Sequence, residues 1–279
     1  MLRALAVAAG FLTRVPIATG AVSAKDLGRA VTWFPAVGAA LGAVLVGTHH
    51  LLAGRLSPGL VAVAIVAVHA GLTGGLHLDG VADVFDALGG GRGRRDRMLA
   101  IMRDSRIGAH GAVAVVLLLV AKILAVVQLV DQGSWQGAGH GAGLDAVWGH
   151  GPGDVWSHRL DALWGHGPGA IWALYAAPVA ARWAVVPIVI GFPYARPDGL
   201  GKPFHGHAGP AQLAGATAIA AIAVGWLGAR AISPAIGAAL AALAIALWLR
   251  RHLGGLTGDV YGAAIEAAEL AFLVVAGLS

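Results

Sequence analysis

The chain has 279 residues, of which 58% are hydrophobic and only 12% are charged. A soluble domain normally carries about twice that charged fraction, so this composition predicts an integral membrane protein. It excludes intrinsic disorder, a coiled coil and a β-barrel porin. The absence of cysteine excludes thiolate catalysis and Cys-based metal sites. In a membrane chain, the net charge of +5 is first a topology signal and a match to anionic lipid, not a sign of nucleic-acid binding.

Seven segments are long and apolar enough to cross a bilayer, which takes about 20 residues each. They are 31–52, 57–76, 107–130, 169–192, 211–229, 232–249 and 259–278. The stretch 2–17 is shorter and predicts an interfacial or re-entrant helix. We therefore expect an all-α fold, a polytopic integral membrane helix bundle in which residues 1–279 form a single membrane-embedded domain.

The distribution of Lys and Arg predicts the orientation of the bundle, because positively charged loops are retained in the cytoplasm. Six arginines fall between Arg92 and Arg106. If successive spans cross the membrane in opposite directions, starting from this cytoplasmic loop, three polar segments lie together on the cytoplasmic face. These segments are 74–110, 193–210 and 250–259.

On the opposite side of the membrane we expect a loop over residues 131–167. It holds a 16-residue tandem duplication, LDAVWGHGPGDVWSHR followed by LDALWGHGPGAIWALY. The histidines of this loop have neither helical spacing nor a carboxylate partner, so a metal site there is not favoured. A flexible interfacial loop anchored by tryptophan is the favoured interpretation.

The sequence from Gly74 to Gly91, GGLHLDGVADVFDALGGG, carries the most informative polar residues. In a helix, Asp79, Asp83 and Asp86 would lie on one narrow stripe, where three like charges repel each other. Carboxylates at a membrane are costly and normally face a polar cavity, and a divalent cation relieves their repulsion. An all-oxygen site favours Mg²⁺, or Mn²⁺, over zinc or copper. The alternative is a solvated helix end whose acids face water.

A glycine-rich turn and a group of arginines follow this stripe directly. Metal-binding acids beside Gly and Arg suit the transfer of a phosphate-linked group, because a cation neutralises a diphosphate and guanidinium groups pair with its oxygens. Arg103 and Arg106 flank Asp104 and Ser105 at the mouth of the next span, where a second metal ligand or a substrate clamp would fit. For the four arginines within 92–97, a role in topology and lipid contact is favoured.

Two further polar segments would meet this face. The loop 195–205 is too rich in Gly and Pro for a helix, and its Arg196 and Lys202 are placed to bind an anion. Thr257 is the predicted N-cap of the last span. Asp259 follows in its first turn, where the helix dipole favours a carboxylate, so Asp259 is either a capping group or part of the site.

Three charged positions fall in apolar surroundings. Glu266 and Glu269 lie deeper in the last span, where they fit either a buried polar pairing, with Arg182 for example, or a proton path. Arg14 is basic in an otherwise apolar segment near the start of the chain, and fits either a substrate contact or snorkelling to lipid headgroups.

Taken in order, these residues closely resemble the cobalamin-5′-phosphate synthase family, the adenosylcobinamide-GDP ribazoletransferases. The resemblance rests on the run 74–91, MRDSRIG at 102–108, FLTRVP at 11–16, Phe34-Pro35 and LTGD at 256–259. It implies a Mg²⁺-dependent enzyme of the bacterial or archaeal cell (inner) membrane, with its active site on the cytoplasmic face. In that family the ribose hydroxyl of α-ribazole, or of its 5′-phosphate, attacks the cobinamide-bearing phosphate of adenosylcobinamide-GDP, and GMP leaves.

Carried over residue by residue, the resemblance implies Asp79, Asp83 and Asp86 as metal ligands and Asp104 as an additional one. We expect Asp83, beside Asp79, to accept the proton of the attacking hydroxyl, with His77 as the competing base. The predicted substrate contacts are Arg14, Arg103, Ser105, Arg106, Arg196, Lys202 and Asp259. The expected partners are the corrinoid nucleotide, α-ribazole and membrane lipid, without nucleic acid. A homo-oligomer and association with other cobalamin-assembly enzymes also fit the resemblance.

Two other functions fit parts of the same pattern. A CDP-alcohol phosphatidyltransferase also displays spaced aspartates on membrane helices. Its usual pattern, Asp-Gly-X-X-Ala-Arg, has Arg after Ala, but here the acid Asp83 follows Ala82, so the match is partial. A cation transporter would use the intramembrane acids as an ion path. The polar segments gather at one rim and the two halves of the chain show no repeat, which favours the enzyme.

Overall fold

The computed structural model describes residues 2–15, 17, 20–138, 171–199, 201–204 and 206–278. In these ranges the chain forms helices and no strand. The α-helices, in chain order, are α1 Leu2–Leu12, α2 Ala24–Ala30, α3 Phe34–Leu52, α4 Pro58–Thr73, α5 Leu76–Gly91, α6 Arg95–Ile101, α7 Ala109–Ala138, α8 Trp172–Gly191, α9 Pro210–Val224, α10 Ile232–Leu253 and α11 Gly258–Leu278. Short 3₁₀ turns precede α3 and join α9 to α10.

The predicted all-α bundle is confirmed, and each predicted span coincides with one helix, namely α3, α4, α7, α8, α9, α10 or α11. One boundary differs. The predicted loop 131–167 begins too early, because α7 continues to Ala138 and residues 131–138 are helical. The remainder of that loop, with most of its duplicated sequence, lies outside the described residues.

The number of membrane spans depends on how two breaks in the helices are counted, one between α4 and α5 and one between α9 and α10. In the part of the chain that the structure describes, five helical runs are long and apolar enough to cross a membrane, and α4 with α5, bent by 88°, adds a sixth. One of the five is the 44-residue run Pro210–Leu253. A helix of that length would measure about 66 Å, roughly twice the hydrocarbon thickness of a bilayer.

This long run contains two spans, because the chain reverses near Gly228, whose φ of 62° and ψ of −144° are not helical. The turn lies at the start of α8, where Trp226 packs near Tyr175. The end of α10 lies at the other end of α8, where Arg250 lies over the Phe192 ring. Both α9 and α10 pack along α8. With this reversal, the five or six candidate spans of the described ranges are consistent with the predicted number of about seven crossings.

The shortest apolar helix, α1, does not span. Its 11 residues cover about 16 Å, half of what a crossing needs. It packs against α2 and α3, and the backbone N–H of Arg14, just after it, donates to the Leu72 carbonyl at 2.8 Å. The end of α1 is thereby fixed beside the turn between α4 and α5.

Candidate active site

A cavity of about 950 Å³ lies at the end of the bundle where α5 and α11 begin. Its wall is built by the end of α1, the α4–α5 turn, α5, the loop after α8 and the first turns of α11. Five of the predicted site residues line it, namely Arg14, His77, Asp79, Arg196 and Asp259. The fold therefore brings together groups that are far apart in the sequence.

Glycine allows Arg14 to reach this cavity. The aliphatic part of the Arg14 side chain lies on Gly74, where an added Cβ would overlap with it. Gly74 has a φ of 62°, a conformation that glycine adopts without the usual steric cost. No carboxylate in the described ranges pairs with Arg14. Its guanidinium lies on the cavity wall, which favours the predicted substrate contact over snorkelling to lipid headgroups.

Helix α5 carries the predicted acids, and its helical conformation is as expected. Asp79 lies on the cavity wall, and half-buried Asp83 follows one turn later. Both carboxylates lie within electrostatic reach of Asp259 on α11. The two helices approach closely because Gly80 has no side chain, and a Cβ there would come 2.6 Å from the Asp259 carbonyl oxygen. Three carboxylates thus share one corner of the site.

Asp259 is held by two donors. Arg196 Nη2 lies 3.2 Å from Asp259 Oδ2, and the hydroxyl of Thr257 donates to the same oxygen at 3.1 Å. Thr257 also accepts a hydrogen bond from the backbone N–H of Val260 at 3.4 Å, so its predicted role as the N-cap of the last span is confirmed. Asp259 belongs both to the first turn of α11 and to the cavity.

Arg95 joins the loops of the site, a role that sequence reasoning missed. Its Nε donates to the Leu253 carbonyl at 2.7 Å, and its Nη2 to the Ala195 carbonyl at 2.9 Å. Backbone carbonyls so far along the chain leave no pattern in the sequence. Arg95 therefore connects α6 to the segments that carry Arg196 and Asp259, which explains why the three predicted polar segments lie at one end of the bundle.

Three buried polar atoms of the cavity residues have no hydrogen-bond partner in the part of the chain that the structure describes. They are His77 Nε2, Arg196 Nε and Tyr261 Oη. Buried polar groups are nearly always satisfied in folded proteins. Tyr194 also lines the cavity, and burial raises the pKa of its phenol, which keeps it a neutral donor. This wall is suited to a polar ligand.

Two predicted metal ligands have other partners. Asp86 accepts hydrogen bonds from the backbone N–H groups of Gly108 at 2.6 Å and Gly111 at 2.8 Å, at the start of α7. Asp104 pairs with Arg106 at 2.6 Å, and the hydrogen bonds from Arg106 lower the pKa of its carboxyl to about 2. Across the described ranges, no group of three or more His, Asp or Glu side chains is arranged to hold a metal ion.

The remaining predicted substrate contacts lie outside the main cavity. Ser105 and Arg106 are exposed, and Lys202 donates to the Pro197 carbonyl within its own loop. Arg103 lines a smaller neighbouring pocket of about 220 Å³, together with Arg196. The cavity therefore contains fewer cations than the sequence suggested.

Deeper in the bundle lies a buried ionic cluster. Lys122 Nζ lies 2.7 Å from Glu266 Oε2 and 2.6 Å from Glu269 Oε2. Arg182, which is fully buried, pairs with the other oxygen of Glu269. The predicted buried pairing of these acids with Arg182 is confirmed for Glu269. The contribution of Lys122 was missed, because one lysine in an apolar span does not reveal its partner.

His77 lies between this cluster and the cavity. Its Nδ1 is 3.5 Å from Arg182 Nη2, and a guanidinium can only donate. A hydrogen bond between these two groups has Nδ1 as its acceptor, and the role of His77 as the competing base stays a prediction.

The comparisons with known proteins identify the family of the chain. The model of the cobalamin-5-phosphate synthase family matches residues 4–277. Relatives named adenosylcobinamide-GDP ribazoletransferase include those of Geotalea daltonii (36% identical, covering 98% of this chain and 96% of the relative), Pseudomonas aeruginosa strain UCBPP-PA14 (36%, 99% and 98%) and Brevibacillus brevis strain 47 (34%, 96% and 95%). No solved structure matches the chain.

The match extends over every helix that builds the cavity, from α1 to α11. It therefore covers the acids of α5, the loop that carries Arg196 and the first turn of α11. The family resemblance predicted from the sequence is confirmed, and the chain belongs to the cobalamin-5-phosphate synthase family.

Proposed function

We propose that this protein joins α-ribazole, or its 5′-phosphate, to adenosylcobinamide-GDP with release of GMP, in keeping with relatives named adenosylcobinamide-GDP ribazoletransferase. The observation that carries the proposal is the cavity in which Asp79 and Asp259 face Arg14 and Arg196 at one end of a membrane bundle. Acids for a cation and guanidinium groups for phosphate oxygens are the two components that transfer of a phosphate-linked group needs.

In the proposed reaction, the ribose hydroxyl oxygen forms a bond to the phosphorus that bears cobinamide. The bond from that phosphorus to the bridging oxygen of GMP breaks, and GMP leaves. The hydroxyl proton passes to the carboxylate of Asp83, the proposed base, which lies one turn from Asp79. Arg14 and Arg196 hold the diphosphate oxygens, while the apolar side of the cavity, which includes Phe11, receives an apolar part of the substrate.

Mg²⁺ is the proposed cofactor, and Mn²⁺ suits the same ligands. The donor chemistry suits this cation, because Asp79, Asp83 and Asp259 offer only carboxylate oxygens and repel one another. In the described structure these three side chains do not converge as a ligand set, so binding requires them to move closer together. When bound, the cation would neutralise the charge of the diphosphate. Asp259 takes the place of Asp86 and Asp104 in this proposal, since those two have partners elsewhere.

The membrane location of the site is also proposed. We place it on the cytoplasmic face of the bacterial or archaeal inner membrane, because the arginine-rich segment 92–106 lies at the same end of the bundle as the cavity. The homo-oligomer and the association with other cobalamin-assembly enzymes stay predictions. A cation transporter is not supported, because Glu266 and Glu269 are paired with Lys122 and Arg182 rather than lining a path.

The direct test uses the purified protein in lipid nanodiscs with Mg²⁺, adenosylcobinamide-GDP and α-ribazole 5′-phosphate. We expect release of GMP and formation of the joined corrinoid. Asp79→Asn and Asp83→Asn should each lower turnover by about 100-fold or more, with thermal unfolding unchanged. Asp198→Asn, which alters an exposed acid at the same end of the bundle, is the control. Absence of GMP release by the unaltered protein would refute the proposal.

A further inference from the structure

Two tyrosines that the acid stripe and the arginines do not predict line the cavity side by side. Tyr194 lies in the loop after α8, and Tyr261 lies in the first turn of α11. Both rings pack on Gly201, where an added Cβ would come 2.9 Å from Tyr194 Cε2 and 3.2 Å from Tyr261 Cε2. The residues before and after Tyr194 each form a 2.8 Å backbone hydrogen bond with Leu256, just before α11. The fold therefore holds this part of the wall in place.

The hydroxyl groups of the two tyrosines differ in their partners. Tyr194 has backbone hydrogen-bond partners in Gly201 and Gly258. Tyr261 is only 6% exposed, and its hydroxyl is buried without a hydrogen-bond partner in the part of the chain that the structure describes. A buried donor that lacks an acceptor lowers stability. A group of this kind on a cavity wall is expected where a ligand supplies the acceptor.

Arg196 provides a second unpartnered donor on the same wall. Its Nη2 pairs with Asp259 at 3.2 Å, but its buried Nε has no partner within the described ranges. Tyr194 lies within electrostatic reach of both Arg196 and Tyr261, so the two donors belong to one region of the cavity. A ligand group that satisfies both must offer several acceptor oxygens. A phosphate does so, and it forms strong hydrogen bonds because it is charged.

We propose that Tyr261 is a catalytic residue whose hydroxyl donates a hydrogen bond to the phosphate of the leaving GMP, beside Arg196. The inference rests on the proposed function and adds a contact at the same site. When the bond from the attacked phosphorus to the bridging oxygen breaks, that oxygen stays with GMP and negative charge accumulates on its phosphate. A donor that the fold already holds in place stabilises this charge more than it stabilises the ground state.

The binding of GMP and of guanosine tests this contact without turnover, by calorimetry in nanodiscs with Mg²⁺. The unaltered protein should bind GMP more tightly than guanosine. Tyr261→Phe should weaken binding of GMP about tenfold or more and leave guanosine unaffected, because a hydrogen bond to a charged phosphate is lost. Tyr175→Phe is the matched control, since Tyr175 lies near Trp226 at the other end of α8 and does not line the cavity.

Three results of this measurement would overturn the proposal. The first is an unchanged affinity of Tyr261→Phe for GMP. The second is an equal loss for GMP and guanosine, which would place the hydroxyl at the base or the ribose. The third is an unaltered protein that binds GMP no more tightly than guanosine.

Thermal unfolding without ligand separates a ligand contact from a structural role. Tyr261→Phe removes a hydroxyl without a partner, so the unfolding midpoint should stay the same or rise. Tyr194→Phe removes a hydroxyl that has backbone partners, so the midpoint should fall. If the midpoint of Tyr261→Phe falls as far as that of Tyr194→Phe, the Tyr261 hydroxyl supports the fold and the proposal is wrong.

Turnover shows which substrate the hydroxyl serves. Tyr261→Phe should lower kcat about tenfold or more, with KM for α-ribazole unchanged, because the contact is strongest when charge accumulates on GMP. A change confined to KM for α-ribazole would assign Tyr261 to the acceptor substrate and contradict the proposal.

The binding experiment also distinguishes this inference from the proposed reaction. If the expected pattern of GMP and guanosine affinities appears in a protein that releases no GMP from adenosylcobinamide-GDP, the phosphate contact of Tyr261 is supported and the reaction is refuted. If the unaltered protein releases GMP while Tyr261→Phe binds GMP with unchanged affinity, the contact is refuted and the reaction stands.

Discussion

Arg196 and Asp259 pair across 3.2 Å and join the loop after α8 to the first turn of α11. Asp259 also lies within electrostatic reach of Asp79 and Asp83. Three carboxylates and one guanidinium leave this corner of the cavity with a formal charge of about −2 when all are ionised. That charge matches a single divalent cation, and the pair is therefore part of the electrostatic balance of the site as well as a structural link.

Replacing Asp259 with Asn tests whether its carboxylate acts beyond helix capping. Thr257 still caps the helix start and the asparagine keeps an oxygen acceptor, so stability should change little. The lost charge should weaken the apparent affinity for Mg²⁺ about tenfold or more, measured as the Mg²⁺ concentration for half-maximal GMP release. Asp198→Asn provides the control for a lost exposed acid. A Mg²⁺ dependence identical to that of the unaltered protein would restrict Asp259 to capping.

Unlike Asp259, Asp86 is expected to act in stability and not in metal binding. Its carboxylate oxygens accept hydrogen bonds from two backbone N–H groups at the start of α7. Asp86→Ala should destabilise the protein by about 1 to 2 kcal/mol, the usual cost of a lost helix cap. Asp86→Asn keeps an acceptor and should retain most of both the stability and the GMP release. Thermal unfolding and turnover in the same nanodiscs provide the measurement. If Asp86→Asn stays folded but loses Mg²⁺-dependent turnover, the metal role predicted from the sequence is restored.

The sequence predicts the spans and the acid stripe well because both follow from local periodicity. About 20 apolar residues define a crossing, and the helical repeat places Asp79 and Asp83 on one face. Periodicity does not show what packs against that face. Asp86 has the spacing of a third ligand, yet it meets the backbone of Gly108, and the third acid of the corner comes from α11.

Partners that are distant in the sequence explain the other differences. Arg95 bonds to carbonyls at separations of 100 and 158 residues, and backbone carbonyls are present at every residue. Lys122 meets Glu266 and Glu269 across more than 140 residues. Gly74 gives no sign in the sequence that the Arg14 side chain lies on it. These contacts depend on how the helices assemble, which one sequence does not encode locally.

Gly74 and Gly75 form a matched pair for testing the placement of Arg14. Both have positive φ, 62° and 69°, so alanine at either position costs about 1 kcal/mol in backbone strain. Only at Gly74 would the new Cβ overlap with Arg14, while the space at Gly75 is open. Gly74→Ala should therefore displace the guanidinium and raise KM for adenosylcobinamide-GDP about tenfold, the effect of losing one charge-assisted contact.

Gly75→Ala should share the loss of stability without the increase in KM. Arg14→Gln should reproduce the increase in KM without the loss of stability, because it removes the charge and leaves the turn unaltered. If both glycine variants raise KM equally, the effect comes from the α4–α5 turn itself and not from Arg14.

The buried ionic cluster predicts a compensating pair of substitutions. Lys122→Met leaves the carboxylate of Glu266 buried without its ion-pair partner, while Glu269 keeps Arg182 and the nearby His69. Breaking a buried pair in this way costs about 3 to 5 kcal/mol. Lys122→Met with Glu266→Gln leaves the neutral pair of Arg182 and Glu269, so the double variant should recover at least half of that loss. Thermal unfolding in nanodiscs measures the stability of the single and the double variant. Glu266→Gln alone is the fourth protein that a double-mutant cycle needs. Additive losses would mean that Lys122 and Glu266 do not stabilise each other.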